Sequence, residues 1–168
     1  MSPLHKQVIL DNNCINNFYN ADSLRLILNL WPPGTFKIPF RVYNEASNWR
    51  EHGEEVCGII RELADNNVIE VVNINDHSET EIKYYIQLRL AAPVLGEGES
   101  EAIAIAKSRE YIVATDDGQA TERCRNLFPS VEVVTTGDIL KMAKSDGLLE
   151  ESQIKHMWKL IKLKESKR

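Results

Sequence analysis

The chain has 168 residues, 43% of them apolar, and a formal net charge of −5. That size suits one self-sufficient core, and the acidic balance excludes a protein that grips nucleic acid through overall basicity, while leaving room for local basic patches beside an acidic cleft. Three cysteines, Cys14, Cys57 and Cys124, are odd in number and lack paired ligand spacing, which excludes a disulfide scaffold and a zinc ribbon and fits a reducing cytoplasm.

Met1 to Lys6 lacks the apolar core of a signal peptide, and no run approaches membrane-spanning length, so a soluble protein without a membrane partner is expected. Gln7 to Leu10 reads as a continuous apolar strand closed by Asp11-Asn12-Asn13, residues that turn chains and cap helices. A helix is expected from about Cys14, with a break at Asn20-Ala21-Asp22 and a stop at Trp31-Pro32-Pro33-Gly34. Phe36 to Pro39 is a brief second strand, and Phe40 to Arg50 a helix with Val42, Ala46 and Trp49 on one face and Glu45 on a neighbouring one. Glu54 to Asn66 continues as an amphipathic helix, and Val68 to Val72 as a third strand.

Ser78 to Ala92 then reads as a helix ended by Pro93. In Leu95 to Ala106, Gly98 or Ser100 ends a loop and acids occupy the first helical turn. Tyr111 to Ala114 is a short buried strand that breaks off at Asp116-Asp117. A helix from about Gln119 to Asn126, a strand Val131 to Val134, a helix Ile139 to Ser145 stopped at Asp146-Gly147, and a last helix Glu150 to Lys164 with a basic end complete the chain. Alternating strands and helices imply a three-layer α/β/α domain with a mainly parallel sheet. The expectation is a single domain over 1–168, with a C-terminal helical extension from about 137.

Acids recur at corresponding places: Asp11 after the first strand, Glu45 in the helix after the second, Glu99 or Glu101 at a helix start, and Asp116 and Asp117 after the strand from Tyr111. In a parallel sheet these positions gather at its carboxyl edge. Carboxylates brought that close repel one another and need a cation to stay ionised together. Oxygen-only ligands select Mg²⁺ or Mn²⁺ over zinc, and Asn13 and Thr115 could add neutral hydrogen bonds. Singly, each acid has an ordinary use as a cap, a dipole partner or a solvated charge, so the joint pattern carries the reading.

Other features carry less. Gly96-x-Gly98 lacks the third glycine and the Lys-Ser/Thr ending of a phosphate loop, and His5, His52, His77 and His156 stand singly. No histidine accompanies Cys14 in sequence, which argues against a nucleophilic thiol there. Lys37, Arg41, Arg50 and Arg123 are candidates to border the cleft and hold phosphates.

The order of these motifs resembles the PIN-domain ribonucleases, in particular the small prokaryotic VapC-type toxins. Val8-Ile9-Leu10-Asp11-Asn12-Asn13 is similar to the family's strand followed by Asp-Thr-Asn, with Asn12 in place of threonine. Ile38-Pro39 followed by Glu45 is similar to its second signature, Gly96 to Ala106 to the Gly-Glu-x-Glu-Ala segment of one subgroup, and Thr115-Asp116-Asp117 to Thr-x-Asp. The resemblance implies catalytic roles for Asp11, Glu45, Glu101 and Asp117. Glu99 and Asp116 are alternative or auxiliary metal ligands. It further implies Mg²⁺ or Mn²⁺ as cofactor, single-stranded or looped RNA as substrate, an antitoxin protein as partner and a homodimer. The competing expectations are a non-catalytic PIN-like module that binds RNA or protein, and a structure-specific nuclease acting on DNA.

Overall fold

The computed structural model describes residues 6–74 and 78–167. His5, His77 and Arg168 lie outside them. In chain order the first half runs β1 (Val8–Leu10), α1 (Asn12–Asn20), α2 (Leu24–Asn29), β2 (Phe36–Pro39), α3 (Phe40–Ser47), α4 (Gly53–Asp65) and β3 (Glu70–Val72). The second half runs α5 (Glu79–Leu90), α6 (Glu97–Arg109), β4 (Ile112–Ala114), α7 (Gly118–Leu127), β5 (Val133–Val134), α8 (Thr136–Ser145) and α9 (Glu151–Glu165).

The five strands pair in parallel in the order β3-β2-β1-β4-β5. Because strand side chains alternate between faces, each strand feeds two cores. Val8 and Leu10 of β1, with Ile112 and Ala114 of β4, pack against α1 to α4, α8 and α9. Ile9 and Val113 face the other way, against α5, α6 and α7. The result is the expected three-layer α/β/α sandwich. Strand order reverses between β1 and β4, and at such a switch point the neighbouring connections leave in opposite directions and open a crevice at the strands' carboxyl ends.

Several boundaries differ from the sequence expectation, each for a local reason. Helix α1 begins at Asn12 rather than near Cys14, because the Asp11 side chain caps it by accepting from the Asn12 amide. Helix α6 begins at Glu97, so Gly98 and Ser100 lie within its first turns rather than before it. Strand β3 starts at Glu70, not Val68, since the Val68 and Ile69 amides turn back to the Leu63 carbonyl behind Asn67, whose φ is 59°. Strand β4 loses Tyr111, whose amide donates to Ala106 at the end of α6. Met157 and Ile161 are buried under α9, with Ile154 and Trp158 packed beside them, and α9 lies along α1. No helix among the described residues is long and apolar enough to cross a membrane.

Candidate functional site

Register places the first two site residues side by side. Leu10 pairs with Ala114, so the next residues, Asp11 and Thr115, leave the sheet together at the switch point. The Asp11 amide donates to the Ala114 carbonyl at 2.9 Å, and the Thr115 hydroxyl donates to Asp11 Oδ2 at 2.9 Å. Asp11 Oδ1 accepts the Asn12 amide at 2.6 Å. The carboxylate is held from both sides and buried.

Glu45 arrives from α3, directly after β2. Its Oε1 accepts the Gly98 amide at 2.9 Å and its Oε2 the Asn12 side-chain amide at 2.6 Å. Gly98 is required for this approach: a Cβ there would stand 2.8 Å from Val42 Cγ2 and 2.9 Å from Glu45 Oε2. Glu99 follows on the first turn of α6, where its carboxylate accepts the Gly96 amide at 3.2 Å. Asp117 caps α7, accepting the Ala120 amide at 2.9 Å, while its own amide donates to Thr115 Oγ1 at 3.1 Å.

Asp11, Glu45, Glu99 and Asp117 feel one another's charge. Burial pushes the Asp11 carboxyl up to about 7, reinforced by Glu99 and Glu45 and opposed by the bonds from Asn12 and Thr115. Burial likewise raises Glu99, with Asp117 and Glu45 adding to the shift and the Gly96 amide opposing it. No side-chain cation pairs with any of the four among the described residues.

Glu101 and Asp116 have different surroundings. Two residues apart on a helix means about 200° around its axis, so Glu99 and Glu101 point to opposite sides of α6. Glu101 is turned onto Arg41: its carboxylate lies 2.9 Å from the Arg41 Nε and accepts the Arg41 amide at 3.3 Å. Burial raises the Glu101 carboxyl, and Arg41 opposes that rise. Asp116 is used as a strut. It accepts the Thr136 amide at 2.9 Å, the Thr136 hydroxyl at 2.5 Å, the Asn17 side chain at 2.8 Å and the Cys14 thiol at 3.6 Å. Asn13 Oδ1 accepts the Asp116 amide at 3.1 Å and so steadies this connection rather than a site carboxylate.

The expected phosphate-holding cations are largely committed elsewhere. Lys37 is buried against Glu70 across β2 and β3, at 2.5 Å. Arg41 spans Glu97 and Glu101 and sits over the Tyr85 ring. Arg123 donates to the Leu88, Ala91 and Pro93 carbonyls. Cys14 is a buried thiol whose pKa is pushed well up by burial and by Asp116, the opposite of an activated nucleophile.

The side chains of Asp11, Glu45, Glu99 and Asp117 offer oxygens only, which fits a hard divalent ion, and the nearby Cys14 thiol is kept protonated by burial and by Asp116. A further oxygen, Asn12 Oδ1, is buried beside Glu45 without a partner. Among the described residues no group of three or more acidic, thiol or imidazole side chains is drawn close enough to hold a metal ion by itself. An ion held here by one or two carboxylates would keep several of its own waters, as Mg²⁺ does. Sequence reasoning did not anticipate the contacts of Asn12 and Gly98 with Glu45. The signals were present: an amide directly after Asp11, and a glycine one position inside a helix.

A family model described as DUF3368, a PIN domain, matches residues 7–165. Among solved structures, a chain of a toxin-antitoxin complex from Klebsiella pneumoniae is similar in fold. Its TM-score is 0.51 at 16% sequence identity, and the match covers 77% of this chain and 98% of that one. No curated protein matches the sequence.

Proposed function

The chain belongs to the PIN-domain family, whose members are generally nucleases that typically use divalent metals, and on that premise we propose that it is a metal-dependent endoribonuclease cutting single-stranded or looped RNA. The observation that carries this reading is the placing of Asp11, Glu45, Glu99 and Asp117 about the β1/β4 switch point, with none of the four ion-paired among the described residues. Asp11, Glu45, Glu99 and Asp117 would hold one or two Mg²⁺ or Mn²⁺ ions, with Glu99 preferred to Glu101 because Glu101 is committed to Arg41. Asp117 is preferred to Asp116 for the same kind of reason: Asp116 is already filled by four donors. When bound, such an ion supplies an ionised water at neutral pH and positive charge for the phosphodiester oxygens.

The chain's own groups fix the ligands. Thr115 and the Asn12 amide hold Asp11 in one orientation, and the Gly98 amide and the Asn12 side chain do the same for Glu45. Oriented carboxylates cost no reorganisation when charge develops on the substrate. An antitoxin protein as partner is supported by the toxin-antitoxin complex of the structural neighbour. A homodimer and a cytoplasmic location complete the proposal, the latter in keeping with three free, buried cysteines.

The direct test is Mn²⁺-dependent cleavage of labelled RNA by the purified protein and by Asp11→Asn. The parent should cut single-stranded RNA in preference to duplex RNA and to DNA, and the variant should fall to background. Equal cutting by both would defeat the assignment, and preferential cutting of structured DNA would move the substrate.

A further inference from the structure

We infer that the cleft running from Asn12 along α1 is the track for a single RNA strand leaving the cut site, with phosphates held by Lys164 and Lys167 and bases read by Asn16 and Asn20. The inference deepens the nuclease reading and rests on it.

The cleft has a volume of about 510 Å³ and lies between α1, the connection from α3 to α4, and the end of α9. It begins one residue from the carboxylates: Asn12 lines it and bonds Glu45. From there Asn12, Asn16 and Asn20 follow at four-residue steps, one row along the helix at about 6 Å intervals. Asparagine is a poor residue for a helix interior, yet α1 is written NNCINNFYN. Asn17, off this row, is used to bond Asp116, whereas the Asn16 and Asn20 carboxamides have no partner among the described residues. A row of free carboxamides that weakens its own helix calls for a use outside the fold. Each offers a donor pair and an acceptor, the pattern that reads base edges.

The other walls supply what a single strand needs. Trp49, half-buried against the core, lines the cleft together with the Tyr19 and His52 rings, which meet at 5.4 Å, and aromatic rings are what unpaired bases stack on. Lys164 and Lys167 project from the end of α9, face a single acid, Glu51, and make no ion pair among the described residues. Their freedom matters because Lys37, Arg41 and Arg123, nearer the middle of the fold, are already bonded. Carboxylates at the cut site repel phosphates, so affinity has to come from beside them. A volume of about 510 Å³ has room for roughly one or two unstacked nucleotides.

The test measures binding of fluorescently labelled RNA of about ten nucleotides, oligoadenylate and oligocytidylate, to the whole protein in EDTA, by anisotropy over a salt series. Lys164→Ala/Lys167→Ala should weaken both oligonucleotides about tenfold at low salt and reduce the slope of log K against log salt by about 1.4, roughly 0.7 per phosphate contact. Asn16→Ala/Asn20→Ala should leave that slope intact, change the ratio between the two oligonucleotides, and raise the melting temperature. Lys6→Ala/Lys107→Ala, at the opposite end of the sheet, should bind as the parent does. Parent-like affinity and slope in the lysine variant, an unchanged ratio in the asparagine variant, or equally tight binding of duplex RNA each overturn the track.

Cleavage with Mn²⁺ is measured in parallel. A parent that cuts RNA while the track variants bind unaltered sinks the track and leaves the nuclease reading standing. A parent that binds through these residues and never cuts does the reverse, and one that binds no RNA ends both.

Discussion

Two glutamates two residues apart, Glu99 and Glu101, have opposite fates, and the difference is testable at each. Glu99→Gln should lose metal-dependent cleavage while keeping or gaining stability, since it relieves repulsion from Asp117 and Glu45. Glu101→Ala should cost about 2 kcal/mol in urea unfolding, because the Arg41 guanidinium and amide lose a charged acceptor. Sequence alone left this pair open: both acids fall in the first turns of one helix, and which side of α6 meets the sheet is set by packing that no local pattern states. Gly98→Ala should cost about 1–3 kcal/mol and displace Glu45, lowering activity beyond what the stability loss explains. Asp11 gives a pH prediction. Its folded value of about 7 lies above the ordinary 3.8, so the native state binds the proton more tightly. In metal-free protein this contribution is intact below about pH 4, and stability falls as pH rises from there to about 7, then levels off. Asp11→Asn should flatten that fall in thermal melts recorded in EDTA across the range.

Helices and strands were legible where periodicity or capping chemistry spoke locally, and blurred where tertiary bonds set the ends. Pro39 before α3, Asn67 behind α4 and the Thr135 cap of α8 mark boundaries in the sequence itself. The start of α1 falls two residues before the expected Cys14 because Asp11 alone is the cap and Asn12 and Asn13, which read with it as a turn, are already helical; a residue can cap a helix and serve a site at once. Asp116 shows the converse. Its position after β4 marks it as a possible ligand, but its partners come from α1 and α8, segments 99 and 20 residues away. Asp116→Ala should therefore act between elements, loosening α1 and α8 from β4 and costing about 2–3 kcal/mol by denaturant midpoint. Its effect on cleavage should be partly restored by Asp116→Asn, which keeps one oxygen acceptor for the Thr136 amide.

For the molecule as a whole, strand order does the assembling. Parallel pairing in the order β3-β2-β1-β4-β5 was implied in class by the βα alternation, and the central place of β1 follows from its unbroken apolar run. A millimolar concentration of Mn²⁺ should raise the melting temperature of the parent and leave Asp11→Asn unmoved, since an ion bound only by the native state must stabilise it. No shift in the parent would favour a non-catalytic PIN-like module. The central strand has one more consequence, which concerns the order of synthesis. Asp11 emerges early, yet its hydroxyl partner Thr115 lies 104 residues later, and the helix carrying Lys164 comes later still. A growing chain thus holds its first acid, its second and its third without any strand to complete the pocket around them. On the nuclease reading proposed above, a nascent chain could not act on its own message until Thr115 and Asp117 have emerged to close the pocket.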